Sequence, residues 1–552
     1  ELPVEKHGKI EFKLTDDAAL GDEGYHLKVK HGDILLTANK PAGIFYGVQT
    51  LLQMLPAEIK STTEQPKDKK WTIPCVDIID KPQFAWRGMM LDVSRHWFNK
   101  EEVMKFIDEL AEYKMNVFHW HLTDDQGWRL EIKSLPKLTE VGAWRADRVG
   151  DWWGRERAQK GEETTYGGFY TQEDVKEVLA YAAQRFVRVI PEIDVPGHGV
   201  AALVAYPELA CMKAPDAVNV GNKFYGEDEN TLCIGKESTF EFMDKVLTEV
   251  AALFPDEYIH IGGDECFKGF WHKCPRCQAR MKAENLKNEE ELQSYFIHRM
   301  GDLLKSKGKK LVGWDEILEG GLAPDANVMS WRGMDGGIKS AKAGHHVIMT
   351  PTQHCYLDLY QGEPSVEPAT YSMCRLTDSY SFNPVPEGVP AEMVLGGQGN
   401  IWGEAIPTFR HAEYMAWPRG WALAEVLWSG PAQTNWEKFW PRVERHFVRA
   451  DQAGINYARS MYNAIVTPYL QDGVLQVELS SEIAGTFDNT DPDCFTPKYS
   501  EPLSIPKTAS RLRVITYLNG KPSGKLISLT IKELEKRAES DKRTGHGNLT
   551  VD

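Results

Sequence analysis

Two adjacent carboxylates follow a segment whose short apolar run predicts a strand. Residues 260–265 read HIGGDE, so two glycines separate the end of this strand from Asp264 and Glu265. Glycines let the backbone approach a ligand closely where a Cβ atom would collide. Two neighbouring carboxylates hold different protonation states, because the charge on one raises the pKa of the other. The motif therefore predicts a neutral acid beside a stabilising anion, as acid catalysis requires, with a solvated turn as the alternative.

The surrounding chain alternates short apolar strands with helix-patterned segments from about Phe84 to Gly454. Eight strands alternating with helices predict an α/β fold, a (β/α)8 TIM barrel, whose active site lies at the carboxyl ends of the strands. A doubly wound sheet is the alternative fold, but the sequence has no Gly-rich phosphate-binding motif. The strand candidates are Arg87–Val93, Asn116–Leu122, Val187–Ile193, Tyr258–Gly262, Lys310–Val312, Asn327–Met329, His345–Met349 and Met393–Gly396.

Reactive or aromatic side chains follow each of these eight strands. Barrel-end loops are polar in general, which explains the acids but not the three tryptophans, and sugar rings pack their C–H faces on indoles. The chain is also rich in Trp, with 17 in total. In chain order the residues are Arg95, Asp124 and Asp125, Asp194 and His198, Asp264 and Glu265, Trp314, Trp331, Tyr356 and Asp358, and Trp402 and Glu404.

This set of residues, without a cofactor motif, predicts cleavage of glycosides. The reaction needs a protonated carboxyl for the leaving oxygen and negative charge for an oxocarbenium-like transition state. We assign the acid to Glu265 and expect Asp264 to stay ionised. Adjacent side chains on a strand point to opposite faces, so this pair does not supply the usual nucleophile across the sugar. The nucleophile is therefore unassigned, or is supplied by the substrate.

Smaller units flank the barrel, which we place at residues 79–465. Residues 1–78 combine alternating strand patterns with one helical segment and predict a small α/β domain. Residues 466–552 are rich in strand patterns and turn-forming residues and predict a C-terminal β-sandwich-like domain. Its charged tail from Lys532 onward is expected to be mobile.

Composition excludes some partners. The net charge of −16 disfavours nucleic acid, and no apolar run reaches the ~18 residues of a membrane span. The chain begins at Glu1, has few cysteines and carries one sequon, at Asn548. We therefore expect a periplasmic, cell-surface or secreted protein from which a signal peptide was removed.

One cysteine pair resembles half of a zinc site. Cys274 and Cys277 form a Cys-x-x-Cys motif with His272 and Cys266 nearby, but a second such pair is missing. We therefore expect no metal and no cofactor, and interpret the pair as free thiols or one local disulfide.

Six segments together resemble the β-N-acetylhexosaminidases of glycoside hydrolase family 20, over nearly the whole chain. They are LDVSRHW at 91–97, HWHLTDDQGW at 119–128, DVPGH at 194–198, HIGGDE at 260–265, GWD at 313–315 and NIWGE at 400–404. The first domain resembles the family's N-terminal α/β domain without its opening strand. The last resembles a C-terminal β-domain of some members.

The resemblance implies that the substrate supplies the nucleophile. Its 2-acetamido oxygen would attack C1 and form an oxazolinium intermediate, with net retention. By motif, Asp264 would orient the acetamide and stabilise the charge on its nitrogen, and Tyr356 would bond its oxygen. Glu265 would protonate the leaving oxygen and then activate water. Asp124 and His198 would form a link to Glu265, although His198 could also be a structural histidine.

The same resemblance implies a set of sugar-binding residues. Arg95 and Glu404 would bind ring hydroxyls, Trp314 and Trp331 would enclose the acetamide, and Trp402 would stack beneath the ring. Trp152 and Trp153 could line the leaving-group side or pack their loop. The full set is Arg95, Asp194, Trp314, Trp331, Asp358, Trp402 and Glu404.

We therefore expect an exo-acting enzyme that removes terminal GlcNAc or GalNAc from a glycan, in a chain that could form a homodimer. One alternative is a disaccharide-releasing relative of the lacto-N-biosidase type. A second is a non-catalytic carbohydrate-binding protein, against which the retention of Asp264 and Glu265 argues. A zinc hydrolase using His119, His121 and cysteine residues is a distant third, because no third ligand is evident.

Overall fold

The computed structural model describes residues 8–148, 154–221, 229–482, 499–506, 508–519 and 521–541. Its first unit is a four-stranded sheet with one helix, Pro41–Met54, packed on it. Proline suits the first turn of this helix because its missing N–H has no partner there anyway. In spatial order the strands are Lys9–Leu14, Asp33–Ala38, Tyr25–Lys30 and Val76–Asp80.

The strand Lys9–Leu14 corrects the expectation that this unit lacks its opening strand. It pairs in parallel with Asp33–Ala38 along its whole length. Charged and apolar residues alternate in it, and Ile10, Phe12 and Leu14 are 52–61% exposed. An exposed edge strand buries few of its apolar side chains, so its signal in the sequence is weak.

Eight parallel strands form a closed barrel and confirm the expected fold. All eight lie where the sequence placed them, with ends that differ by a few residues. The barrel closes where the eighth strand pairs with the first, Gly396 opposite Trp86 through Ile401 opposite Leu91. In order, barrel strands one to eight are Trp86–Asp92, Val117–His121, Arg188–Glu192, Tyr258–His260, Lys310–Trp314, Asn327–Ser330, Val347–Met349 and Val394–Ile401.

Helices connect the barrel strands, except after the fifth strand, where the fully described residues 315–326 contain only a 3-10 turn, Asp315–Leu318. Of the described helices, none is long and apolar enough to cross a bilayer. The main helices are Lys100–Glu112, Gln172–Ala183, Glu237–Leu253, Glu289–Ser306, Asp335–Lys342, Arg419–Ser429 and Trp436–Ala453. Shorter helices are Lys137–Glu140, Val200–Ala205, Gly269–Lys273, Pro275–Ala283, Thr352–Cys355, Leu376–Tyr380 and Phe409–Ala416.

The helix Lys100–Glu112 shows how local sequence fixes these elements. Asn99 accepts a hydrogen bond from the Glu102 amide, and the Glu102 side chain accepts one from the Asn99 amide. Such a capping residue stabilises a helix by about 1 kcal/mol. The apolar residues of its inner face, spaced three and four apart, are buried against the barrel.

The C-terminal region is rich in strands, as expected. Ile465–Gln471, Val474–Ser480 and Leu503–Ser504 form one sheet, and Arg511–Val514 pairs with Ile527–Thr530. A short hairpin joins Tyr517–Leu518 to Lys521–Pro522. These strands enclose a separate apolar core.

The expectation of a mobile tail from residue 532 is wrong for its first part. Residues Ile531–Asp541 form a helix whose Leu534 and Ala538 are buried in the C-terminal core. Two apolar residues one turn apart are enough to pack a helix that is otherwise charged against this core. Residues 542–552 lie outside the described residues.

Candidate active site

The loop after the fourth barrel strand places Asp264 and Glu265 at the rim. Gly262 and Gly263 have φ of +68° and +94°, and Glu265 itself has φ of +43°. A Cβ on Gly262 would lie 1.8 Å from Asp194 Oδ1. Both glycines are therefore needed for the backbone to turn here, and the turn aims the two carboxylates at the same ring of His198.

His198 contacts both carboxylates through one nitrogen. Its Nε2 lies 3.5 Å from Asp264 Oδ2 and 3.6 Å from Glu265 Oε2. Burial raises the pKa of Asp264 to about 6, with Glu192 and Glu265 adding to the effect and His198 opposing it. Asp264 is 7% exposed and its Oδ1 has no hydrogen-bond partner among the described residues. A buried acceptor without a partner is available to a ligand.

A chain of alternating acids and histidines extends inward from this pair. His198 Nδ1 lies 3.0 Å from Asp124 Oδ1, Asp124 Oδ2 lies 2.9 Å from His121 Nε2, and His121 Nδ1 lies 2.5 Å from Glu192 Oε2. Burial opposes the charged form of both histidines, but the surrounding carboxylates raise their pKa values well above the usual range. Burial also favours the neutral form of Asp124, yet Arg95 and His198 hold its pKa well below its usual range. The protonated His121 ring therefore donates to a carboxylate on both sides. His198 donates to Asp124 through Nδ1, while its Nε2 faces Asp264 and Glu265 at ion-pair distance without a hydrogen bond among the described residues.

Arg95 is fixed by three acids and an amide. Its guanidinium lies 3.1 Å from Asp92 and 2.8 Å from Asp124, and its Nε donates to the Gln126 side chain. A third acid, Glu404, lies 3.9 Å away. Only 4% of Arg95 is exposed, so its charge is held in one position at the base of the rim.

Four aromatic rings pack together at the same end of the barrel and form an aromatic wall, which consists of Trp314, Trp331, Tyr356 and Trp402. Trp331 and Tyr356 stack with their planes 15° apart and centroids 6.0 Å apart, and Trp314 lies 5.6 Å from Trp402. Trp402 also lies under the Arg95 guanidinium at 5.1 Å. Hydrogen bonds fix two of the indoles, from Trp314 to Glu192 and from Trp331 to Glu316, at 2.8 and 2.9 Å. The aromatic wall is therefore apolar, and hydrogen bonds hold two of its four rings in place.

Asp194, Asp358 and Glu404 complete the expected residues. Both oxygens of Asp194 lack hydrogen-bond partners among the described residues, and burial together with Asp264 raises its pKa well above the usual range. The carboxylate of Asp194 clusters with His198 and Asp264. Burial, with Glu404 adding, raises the pKa of Asp358 to about 8, and the Tyr371 hydroxyl donates to it at 3.2 Å.

All twelve expected residues therefore lie on one end of the barrel, where they surround the same space. Three further contributors, Glu192, Glu316 and Tyr371, were missed. The sequence contained a signal for Glu192, because it is a charged residue inside an otherwise apolar strand. Glu316 and Tyr371 lie in loops, where the sequence offered no such signal. Trp152 and Trp153 lie outside the described residues.

His119 and His121, the histidines of the zinc-hydrolase alternative, are buried inside the barrel together with His260. His119, His121 and His260 lie 3.0, 2.5 and 3.1 Å from the single carboxylate of Glu192. This carboxylate also accepts the Trp314 indole hydrogen bond. Glu192 thus holds the inner end of the acid–histidine chain and the aromatic wall together.

Two family models match the chain: glycosyl hydrolase family 20, catalytic domain, over residues 84–431, and glycosyl hydrolase family 20, domain 2, over residues 2–81. The chain belongs to glycosyl hydrolase family 20. It is 44% identical over 530 residues to a beta-hexosaminidase of Porphyromonas gingivalis, covering 94% of this chain and 66% of that protein. A beta-hexosaminidase of Vibrio furnissii is 39% identical, with 76% and 67% covered.

Solved structures of the family superpose on the fold. A family 20 exo-β-N-acetylglucosaminidase of Vibrio harveyi, in complex with N-acetylglucosamine, matches with a TM-score of 0.72 and 37% identity. The match covers 82% of this chain and 69% of that one. A β-N-acetylhexosaminidase of Bacteroides fragilis matches with a TM-score of 0.68 and 34% identity, covering 81% and 85%. The chain spans about two thirds of the length of the first two relatives.

Proposed function

We propose that this family 20 protein is an exo-acting, retaining β-N-acetylhexosaminidase. It removes terminal non-reducing β-linked GlcNAc or GalNAc from glycans by substrate-assisted catalysis. The main support for this proposal is that Asp264 and Glu265 are adjacent and lie at the same end of the barrel as the four aromatic rings. Two carboxylates that both lie within 3.6 Å of one His198 nitrogen do not flank a sugar ring as an acid and a nucleophile do. The hexosaminidase names of the relatives support the same reaction.

In the first step the substrate's acetamide oxygen bonds to C1 as the glycosidic C1–O bond breaks. Glu265 gives its proton to the departing oxygen, so the leaving group departs as a neutral alcohol. Positive charge develops on the acetamide nitrogen of the oxazolinium ring, where the anionic Asp264 stabilises it. Tyr356 and the indoles of Trp314 and Trp331 hold the acetamide in the reactive geometry and exclude water.

In the second step water attacks C1 and the bond to the acetamide oxygen breaks. Glu265, now ionised, takes the proton from this water and returns to its starting form. Two inversions at C1 give net retention. The positively charged His198 is held by Asp124 through Nδ1, and its Nε2 faces both Asp264 and Glu265. It can therefore balance the negative charge that Glu265 gains in the first step and loses in the second.

The sugar-binding residues favour release of one sugar. Arg95 is locked by Asp92 and Asp124, and with Glu404 it presents paired charges to the hydroxyls farthest from C1. Trp402 supplies the surface on which the ring stacks, and Asp358 and Asp194 add carboxylates at its edges. A fixed, charged end to the pocket argues against the binding of a second sugar beyond the terminal one.

Product analysis with N-acetylchitotriose tests the exo mode. We expect GlcNAc and the disaccharide to appear together from the start, and then the disaccharide to disappear. Release of a disaccharide from lacto-N-tetraose, without free GlcNAc from chitotriose, would instead identify the lacto-N-biosidase type. Binding of chitotriose without any cleavage would identify a carbohydrate-binding protein.

We also propose the division into units at residues 1–78, 79–465 and 466–552, which separate apolar cores at the two ends of the chain support. A homodimer is proposed on the exposed apolar side chains of the edge strand Lys9–Leu14, an apolar surface that a second copy of the chain would cover. An extracytoplasmic location is proposed from the substrate class, since polymeric glycans lie outside the cytoplasm. Light scattering and fractionation of the native host check these two proposals.

A further inference from the structure

Four buried cysteines meet outside the active site. Their Sγ atoms all lie within 4.8 Å of one another, and three separations are 3.6–3.7 Å: Cys211 to Cys277, Cys233 to Cys274 and Cys233 to Cys277. A disulfide would bring two sulfurs to about 2.05 Å. Four thiolates on one zinc ion, each at about 2.3 Å in a tetrahedron, lie roughly 3.8 Å apart. The separations fit a shared ion rather than two disulfides.

The backbone around the cluster is arranged to hold the thiols in these positions. Cys274 caps the helix Pro275–Ala283 and Cys277 lies in its first turn, where the helix dipole favours thiolates. Cys233 approaches from the loop after the third barrel strand, with Gly235 packed so closely that a Cβ would lie 2.3 Å from the Arg276 carbonyl carbon. The turn of Cys211 is organised by Glu229, whose carboxylate accepts hydrogen bonds from the amides of residues 211–213.

We propose that Cys211, Cys233, Cys274 and Cys277 bind one structural zinc ion. Four thiolates complete a tetrahedron and leave no open position, which is the arrangement of a structural rather than a catalytic site. Soft sulfur ligands in this geometry favour zinc among the common divalent ions. The sequence pattern lacked a second Cys-x-x-Cys pair, and the fold supplies it from two cysteines far apart in the chain. His272, one of the two further candidates from the sequence, instead contacts Glu289.

The ion would tie the loop after the third barrel strand to the loop after the fourth. The first loop reaches the active site through two backbone hydrogen bonds, Leu232 N to Pro196 O and Gly199 N to Asn230 O, both 2.8 Å. The Trp271 indole donates to Leu232 O from the second loop. These contacts flank His198, so the zinc would keep the loops that carry His198, Asp264 and Glu265 in place. Zinc-bound thiolates would also be protected from oxidation.

Metal analysis of the full chain tests the proposal independently of any glycosidase activity. Protein purified without chelators from zinc-supplemented medium should contain about one zinc per chain, with X-ray absorption showing four sulfurs at about 2.3 Å. The double variant Cys274→Ser/Cys277→Ser should lose this zinc. Cys355→Ser, which removes a buried thiol outside the cluster, and Cys75→Ser, which removes an exposed one, should retain it.

A measurement on the unmodified chain covers the case in which the double variant does not fold. Titration with a mercurial should release zinc to a chromophoric chelator in step with modification of the four thiols. Zinc-free protein with these four thiols reactive would overturn the proposal. So would iron in place of zinc, or an intact mass that shows loss of the thiol hydrogens to disulfides.

Discussion

Replacing Glu265 with Gln is expected to lower kcat/KM for 4-nitrophenyl β-N-acetylglucosaminide by about a hundred- to ten-thousand-fold, the range of a lost general acid. The amide keeps the shape of the side chain but gives no proton to the leaving oxygen. The sugar contacts proposed for Arg95, Trp402 and Glu404 are untouched, so binding of GlcNAc should survive. Steady-state kinetics and calorimetric titration measure the two effects separately.

The leaving group provides the decisive control for Glu265. A 2,4-dinitrophenyl glycoside departs without protonation, so its kcat/KM, which reports the first bond cleavage, should fall far less in the variant. Glu392→Gln, at an exposed site remote from the rim, should behave as the unmodified enzyme. An equal loss on both substrates would remove Glu265 from the role of acid.

Replacing Asp264 with Asn is expected to lower kcat/KM by about a hundred- to a thousand-fold, as for loss of one preorganised electrostatic contact. Asn is isosteric but neutral, so the positive charge on the acetamide nitrogen loses its counterion in a buried site. Unlike the loss in the Glu265 variant, this loss should be the same for 4-nitrophenyl and 2,4-dinitrophenyl substrates. The exposed Asp22→Asn is the matched control. A loss that vanishes with the better leaving group would contradict the role of Asp264.

The dependence of activity on pH provides a second test of the role of Asp264. Burial raises the pKa of Asp264 to about 6, and the reaction needs its ionised form. Activity should therefore be present above this pH and be lost as the pH falls through it. The residual activity of Asp264→Asn should not show this acid limb. If the acid limb persists unchanged in the variant, another group is responsible for it.

The barrel and its rim were readable from the sequence for a physical reason. A strand buried on both faces needs a short continuous apolar run, and the chain must turn at its end, so polar residues and glycines mark each carboxyl end. Because these ends meet at one rim, the eight strands were enough to predict which side chains share a site. The residues from Arg95 to Glu404 were placed in this way.

Contacts between segments that are distant in the chain could not be predicted from the sequence. Glu192 is buried because residues of three other barrel strands, among them His121 and Trp314, surround its carboxylate, and no local pattern encodes that. Cys211 and Cys233 join the Cys274 motif only through the packing of two loops. The helix Ile531–Asp541 was missed because its charged composition conceals the two residues that pack, Leu534 and Ala538.

The most direct test of substrate assistance compares two substrates of the unmodified enzyme that differ only at C2. The 4-nitrophenyl β-glycosides of N-acetylglucosamine and of glucose bring an acetamide and a hydroxyl, respectively, to the same position. We predict hydrolysis of the first, competitive inhibition by its thiazoline analogue, and no measurable hydrolysis of the second. Comparable kcat/KM for both substrates would mean that the protein supplies the nucleophile, and would contradict the account.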